Sequence, residues 1–127
     1  MTAMRKLLII DDNPAIVALF TAELEDEYEV LTAENGMSGV QTALSALPDI
    51  ILLDINMPDL SGLEVLRYLE RYDATRAIPV VIITASDYNS TSESLAKTSK
   101  NLKGFISKLV SGDELRATLR GVLEKED

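Results

Sequence analysis

A chain of 127 residues, 46% of them hydrophobic, has the size of one domain with a core of its own. It contains no cysteine and no histidine, which excludes disulfides, thiol chemistry, a His-based triad and imidazole metal ligands. The balance of 12 basic against 21 acidic side chains, net −9, speaks against direct nucleic-acid binding, and no apolar run is long enough to span a bilayer.

Arg5 and Lys6 precede the apolar run Leu7–Ile10, but Asp11 and Asp12 follow at once. That segment is too short and too acidic behind to be a signal peptide, so a cytoplasmic location is expected on that ground alone. Leu7–Ile10 reads as a first strand buried on both faces. Asp11, Asp12 and Asn13 close it, and Pro14 fits the first turn of a helix carrying Ile16, Leu19, Phe20 and Leu24 at helical spacing. Tyr28–Ala33 is a shorter, more polar strand. Met37, Val40, Leu44 and Leu47 make a second helix, stopped by Pro48. Ile50–Asp54 is a third strand that ends in a carboxylate. After a loop containing Pro58, Ser61 and Glu64 frame a capping box ahead of a third helix, Leu63–Tyr72. Pro79 opens a fourth strand, Val80–Thr84. Ser86, Ser90, Thr91, Ser92 and Ser94 are poor helix-interior residues, so only a weak fourth helix, Asn89–Ser99, is expected there. Lys103–Lys108 is a fifth strand. Ser111 and Glu114 form another capping box, opening a last helix through Leu115, Leu119, Val122 and Leu123.

Strand and helix alternate five times, which implies parallel pairing with right-handed crossovers. The expected fold is a single α/β domain over residues 1–127: a doubly wound, five-stranded parallel sheet with five helices on both faces. The order 2-1-3-4-5 is that of the flavodoxin-like group and is adopted by analogy, since the residues alone do not set it. All strand carboxyl ends then share one edge. That edge holds Asp11 and Asp12 after strand one, Asp54 after strand three, Thr84 after strand four and Lys108 after strand five.

Three close carboxylates repel one another unless a cation intervenes, and an all-oxygen set favours a hard ion, Mg²⁺ first. An aspartate is also a nucleophile toward phosphorus. Phosphoryl transfer needs positioning and charge neutralisation, which a metal and Lys108 would supply, with a hydrogen bond from Thr84 to a phosphoryl oxygen. Each residue also has a plainer reading. Asp11-Asp12 can be a helix cap ahead of Pro14, Thr84 a β-branched strand end, Phe105 plain core, and Lys108 a solvated charge.

Taken together, Asp11-Asp12, Asp54-x-x-Met57-Pro58-x-x-x-Gly62, Thr84-Ala85 and Lys108 three residues after Phe105 resemble the receiver domain of two-component response regulators. The resemblance covers essentially the whole chain. It is also the group from which the adopted strand order takes one of its known examples, a chemotaxis regulator. The resemblance implies that Asp54 is the phosphoacceptor. It implies that Asp12, Asp54 and the backbone carbonyl of Asn56 hold Mg²⁺ with Asp11 assisting. Thr84 and Phe105 would form a switch pair, and Lys108 would contact the phosphoryl group. The implied donor is a phosphohistidine of a histidine kinase or phosphotransfer protein, or a small phosphoanhydride. Asn56 and Ser86 fall where the phosphoryl lifetime is tuned.

Two departures from the family pattern stand out. The stretch Lys100–Lys103 replaces a short Gly-Ala turn, and Leu109 stands where proline usually follows the lysine. The usual Lys-Pro bond is cis, but before leucine a cis bond costs ~2.5–4 kcal/mol. A trans bond is therefore expected, with residues 108–111 rearranged so that Lys108 still reaches Asp54.

The expected protein is a stand-alone receiver, chemotaxis-regulator-like, monomeric or weakly dimeric, without membrane or nucleic-acid partners. It is not an enzyme beyond its own phosphorylation and dephosphorylation. It would signal to a downstream protein through the face made by the fourth helix, fifth strand and last helix, around Phe105. Two alternatives compete with this reading. A Mg²⁺-dependent phosphatase with an aspartate nucleophile would need Asp-x-Asp-x-Thr at strand one, which Asp11-Asp12-Asn13 does not match. A degenerate receiver that docks partners without phosphorylation would not need the complete acidic set.

Overall fold

Five apolar segments lie side by side, all running the same way. In the computed structural model, which describes residues 4–84 and 99–126, they are β1 (Arg5–Ile10), β2 (Tyr28–Ala33), β3 (Ile50–Asp54), β4 (Val80–Thr84) and β5 (Leu102–Ser107). The order is β2-β1-β3-β4-β5 and every pairing is parallel. The doubly wound α/β class and the strand order are therefore as expected. Among the described residues there are four helices: α1 (Pro14–Leu24), α2 (Gly36–Ala46), α3 (Gly62–Arg71) and α4 (Gly112–Glu126). The expected helix Asn89–Ser99, apart from Ser99, lies outside the described residues, as do Ala85 and Ser86. None of the helices described is long and apolar enough to cross a membrane.

The sheet splits the core into two layers. On one face Ile10, Leu53 and Ile82 pack with Val40 and Ala43 of α2 and Val65, Leu66 and Leu69 of α3. On the other, Ile9, Leu52 and Ile83 pack with Phe20 and Leu24 of α1 and Leu115, Leu119 and Leu123 of α4. Every residue of β3 and β4 is buried, which is why both read as unbroken apolar runs and not as alternating ones. Each fully buried Leu or Ile contributes roughly 1.5–3 kcal/mol, so the central strands dominate stability.

Local signals set the helix ends. Asn13 caps α1: its Oδ1 accepts from the N–H groups of Ala15 at 2.9 Å and Ile16 at 3.3 Å, with Pro14 in the first turn. Neither Asp11 nor Asp12 is the cap, so both remain available to the strand edge. The α3 capping box is complete, with Ser61 Oγ accepting from Glu64 N–H and Glu64 Oε1 from Ser61 N–H, both at 3.2 Å. Ser111 Oγ accepts from Glu114 N–H at 3.1 Å at the start of α4. The second helix stops at Leu47, whose φ of 49° is left-handed, because Pro48 disfavours a helical residue before it.

Two strands differ from expectation at their ends. β1 begins at Arg5, two residues early, because Arg5 and Lys6 pair with Tyr28 and Glu29. β5 runs one residue earlier than Lys103–Lys108 at both ends. Val80 pairs with Leu102 but Val81 with Gly104, so Lys103 is the extra residue of a β-bulge. Beyond it the register is regular, pairing Ile82 with Phe105 and Thr84 with Ser107.

Candidate functional site

The strand register brings the acidic residues together. Ile10 pairs with Leu53, so one step further Asp11 stands level with Asp54. The Asp11 N–H extends the ladder to β2 by donating to Ala33 O at 3.1 Å. Both carboxylates are buried, at 0% and 1% exposure. Each is fixed the same way: Asp11 Oδ1 accepts from Asn13 N–H at 2.9 Å and Asp54 Oδ1 from Asn56 N–H at 3.2 Å. These are local Asx bonds to the backbone two residues on. The two Oδ2 atoms are buried and accept no hydrogen bond among the described residues. Asp12 is exposed at the rim. One oxygen from each of Asp11, Asp12 and Asp54 lies within 4.8 Å of the others.

Lys108 closes the site from β5. Its N–H donates to Thr84 O at 2.7 Å, one step past the Thr84–Ser107 pair. Its Nζ lies 3.5 Å from Asp54 Oδ2 and 3.6 Å from Asp11 Oδ2. The Lys108–Leu109 bond is trans. A turn from Ser107 to Val110, closed by Val110 N–H on Ser107 O at 3.0 Å, aims the lysine, and Leu109 N–H donates to Ser107 Oγ at 3.0 Å. Leu109 itself is 84% exposed. The trans bond and the reach of Lys108 to Asp54 are as expected, with no proline after the lysine.

Burial pushes the Asp54 carboxyl up to about 6, and the Asp11 charge adds to this. The Asn56 N–H and Lys108 oppose the rise without cancelling it. Asp54 is therefore harder to ionise here than in water.

Thr84 is 2% exposed at the end of β4. It alternates with Ile82, which pairs with Phe105, so Thr84 and Phe105 share one face of the sheet. Phe105 is half-buried and packs on the layer that contains α2 and α3. A cavity of about 270 Å³ opens beside the carboxylates, lined by Asp11, Asp12, Pro14, Val17 and Ala18. A larger one, about 570 Å³, sits away from this edge among Met4, Tyr28 and Arg120.

The loop from Ile55 to Ser61 is tied at its base and again in its outer part. Gly62 N–H donates to Ile55 O at 2.9 Å. A Cβ on Gly62 would lie 2.7 Å from the Asp54 carbonyl oxygen and 2.7 Å from Ile55 Cα, so only glycine lets α3 start this close to the strand. The other tie is Asp59, whose two oxygens accept from Gly36 and Met37 N–H at 3.0 Å each. Nothing in the sequence pattern points to Asp59, because its partners are 23 and 22 residues away.

A response regulator receiver domain model matches residues 7–120. The chain belongs to that family. As a receiver it is 36% identical over 121 residues to protein PilH of Pseudomonas aeruginosa, covering 94% of this chain and 98% of that protein. It is 32% identical over 120 residues to the polar-differentiation response regulator DivK of Brucella anthropi, covering 94% and 96%. Among solved structures, chemotaxis protein CheY4 of Vibrio cholerae superposes with a TM-score of 0.88 at 27% identity, over 94% of this chain and 99% of that one. The receiver domain of a sensor histidine kinase from Pseudomonas aeruginosa shares the fold, with a TM-score of 0.86 at 24% identity over 96% and 99%, and is described with a magnesium ion in its active-site cleft. This chain is thus a receiver domain of two-component signalling.

Proposed function

We propose that this receiver, read as one domain over residues 1–127, is a switch that takes a phosphoryl group on Asp54. The observation that carries the reading is the pair of buried Oδ2 atoms of Asp11 and Asp54, both without a hydrogen bond and both facing Lys108 Nζ. One ammonium shared at 3.5 and 3.6 Å does not offset two buried carboxylates with Asp12 beside them, so the cluster favours a further cation. The donor set is all oxygen, which fits Mg²⁺ held by Asp11, Asp12, Asp54 and the backbone carbonyl of Asn56. When bound, that ion neutralises charge on the transferring phosphoryl oxygens.

The remaining chemistry belongs to the chain. Asp54 Oδ2 attacks the phosphorus of a phosphohistidine on a histidine kinase or phosphotransfer protein. An O–P bond forms as the P–N bond breaks, and the electron pair stays on the donor imidazole. Asn56 N–H fixes the other oxygen, so the nucleophile is oriented before the donor arrives. Lys108 offsets the incoming negative charge, and the Thr84 hydroxyl donates to a phosphoryl oxygen. Water later attacks the phosphorus, releasing phosphate and restoring the carboxylate. These self-directed steps are the only catalysis in this reading.

Output follows from Thr84 and Phe105 sharing a sheet face. Drawing Thr84 toward a phosphoryl group opens space for Phe105, which repacks the surface of β5 and α4 for a downstream protein. In this reading the protein works in the cytoplasm as a monomer or weak dimer.

The test is intact mass after acetyl phosphate and Mg²⁺. One phosphoryl group should add to the wild type and none to Asp54→Asn or to wild type in EDTA. Equal labelling of Asp54→Asn would overturn the assignment.

A further inference from the structure

The structure assigns Asp59 a part of its own: it is a positioning residue that latches the loop after Asp54 to helix α2 and so fixes the shape of the metal site. This rests on the function proposed above.

The loop carries Asn56, whose N–H holds Asp54 Oδ1 and whose carbonyl is a proposed metal ligand. Its base is pinned by the Gly62–Ile55 hydrogen bond, and Met57 and Leu60 pack inward on the core. Its outer part is held by the Asp59 carboxylate on Gly36 and Met37 N–H. These are first-turn N–H groups of α2, which have no partner inside the helix. The helix also has a cap of its own, since Asn35 Oδ1 accepts from Ser38 N–H at 2.8 Å. Asp59 therefore adds a contact between two elements to a helix end already capped.

The contact is tight. A Cβ on Gly36 would lie 2.7 Å from Leu60 Cβ and 3.3 Å from the Leu60 carbonyl oxygen. Loop and helix thus touch directly, beside two hydrogen bonds to an ionised group, each stronger than a neutral one. The Gly36 N–H, aided by that of Met37, holds the Asp59 carboxyl below its ordinary range, as such bonds should.

The latch closes a ring through the site. From Asp54 the chain runs through the loop to Asp59, across to α2, and back along the connection to Ala33 at the end of β2. Ala33 O accepts from Asp11 N–H. Asp11 and Asp54 are thereby held through the loop as well as through the sheet. A local cap such as Asn35 has no such reach.

The test compares Asp59→Ala, Asp59→Asn and Asn35→Ala with wild type. Mg²⁺ binding is read by calorimetry, labelling rate by mass with acetyl phosphate, and loop order by hydrogen exchange of the Asn56 amide without metal. Asp59→Ala should weaken Mg²⁺ binding about tenfold, the low end of what outer groups behind metal ligands contribute. It should also slow labelling and speed Asn56 exchange. Asp59→Asn keeps one neutral acceptor but turns its amide NH2 toward the second backbone N–H, so each readout should fall between Asp59→Ala and wild type. Asn35→Ala weakens the same helix end but should leave all three readouts as in wild type. If Asp59→Ala matches wild type, or Asn35→Ala matches Asp59→Ala, the latch is overturned. If Asp59→Ala and Asp59→Asn weaken Mg²⁺ binding while Asn56 exchange stays as in wild type, charge and not position is responsible, which also overturns it. A wild type that neither binds Mg²⁺ nor is labelled refutes the proposed function, and Asn56 exchange then decides the latch by itself.

Discussion

Asp11 and Asp54 stand level on neighbouring strands, each with Oδ1 tied to a backbone N–H two residues on and Oδ2 turned toward the same lysine. The sheet thus holds close two like charges that separate on unfolding.

The first consequence is a pH dependence. Asp54 titrates near 3.8 when exposed but is pushed up to about 6 in the folded, metal-free chain. Between those values the folded state keeps a proton that the unfolded state has released. Stability therefore falls as pH rises from about 4 to about 6 and levels off above, by at most ~3 kcal/mol from this group. Asp54→Asn should lose this component and be the more stable protein at pH 7. Urea unfolding at pH 4 and pH 7 in EDTA measures it, and an unchanged pH slope in the variant would count against the burial argument.

Mg²⁺ should stabilise the fold by relieving that repulsion. The gain is ~2.7 kcal/mol at a hundredfold excess over Kd. Asp12 is exposed and outside the core. Asp12→Ala should accordingly fold as well as wild type in EDTA yet lose most of the Mg²⁺ gain in melting temperature. Equal Mg²⁺ sensitivity of the two proteins would remove Asp12 from the site.

Gly62→Ala tests the close approach of α3. Its methyl would press on the Asp54 carbonyl and Ile55, both backbone. We expect a loss of ~1–3 kcal/mol, as for other overpacked sites, with slower labelling of Asp54. A neutral effect on chemical denaturation would show that the helix can shift freely.

Leu109→Pro should not restore anything. Proline would remove the N–H that donates to Ser107 Oγ and would restrict the backbone of Lys108, which the turn now aims at the carboxylates. The expected loss is ~0.5–1.5 kcal/mol, read by thermal melting, with slower labelling. Full stability and labelling would mean that the turn tolerates either residue.

The elements of this protein were legible in its sequence because their signals are local or periodic, whereas the strand order that brings Asp11, Asp54 and Lys108 together came by analogy. Ile50–Asp54 and Val80–Thr84 are unbroken apolar runs, and burial on both faces leaves no other pattern available to them. Ser61 and Glu64 lie within one turn of each other, so their reciprocal bonds are written in four residues. Legibility failed where a partner is remote or a choice is geometric. Which of Asp11, Asp12 and Asn13 caps α1 depends on where β1 leaves the sheet. Arg5 and Lys6 join β1 through pairing with β2 and not through their own polarity. Asp59 reaches a helix that its neighbours in sequence give no hint of.

The bulge at Lys103 shows where this fold tolerates variation in length. The spare residue sits at the amino end of β5, before Gly104, and the pairs from Val81 onward keep step with β4. A strand presents its side chains to alternate faces, so one residue gained between Gly104 and Lys108 would turn the ammonium away from the carboxylates. The same residue gained upstream is absorbed at the opposite edge of the sheet. One residue added in this chain ahead of Gly104 should therefore leave the site intact, while the four steps from Gly104 to Lys108 form a ruler of fixed length.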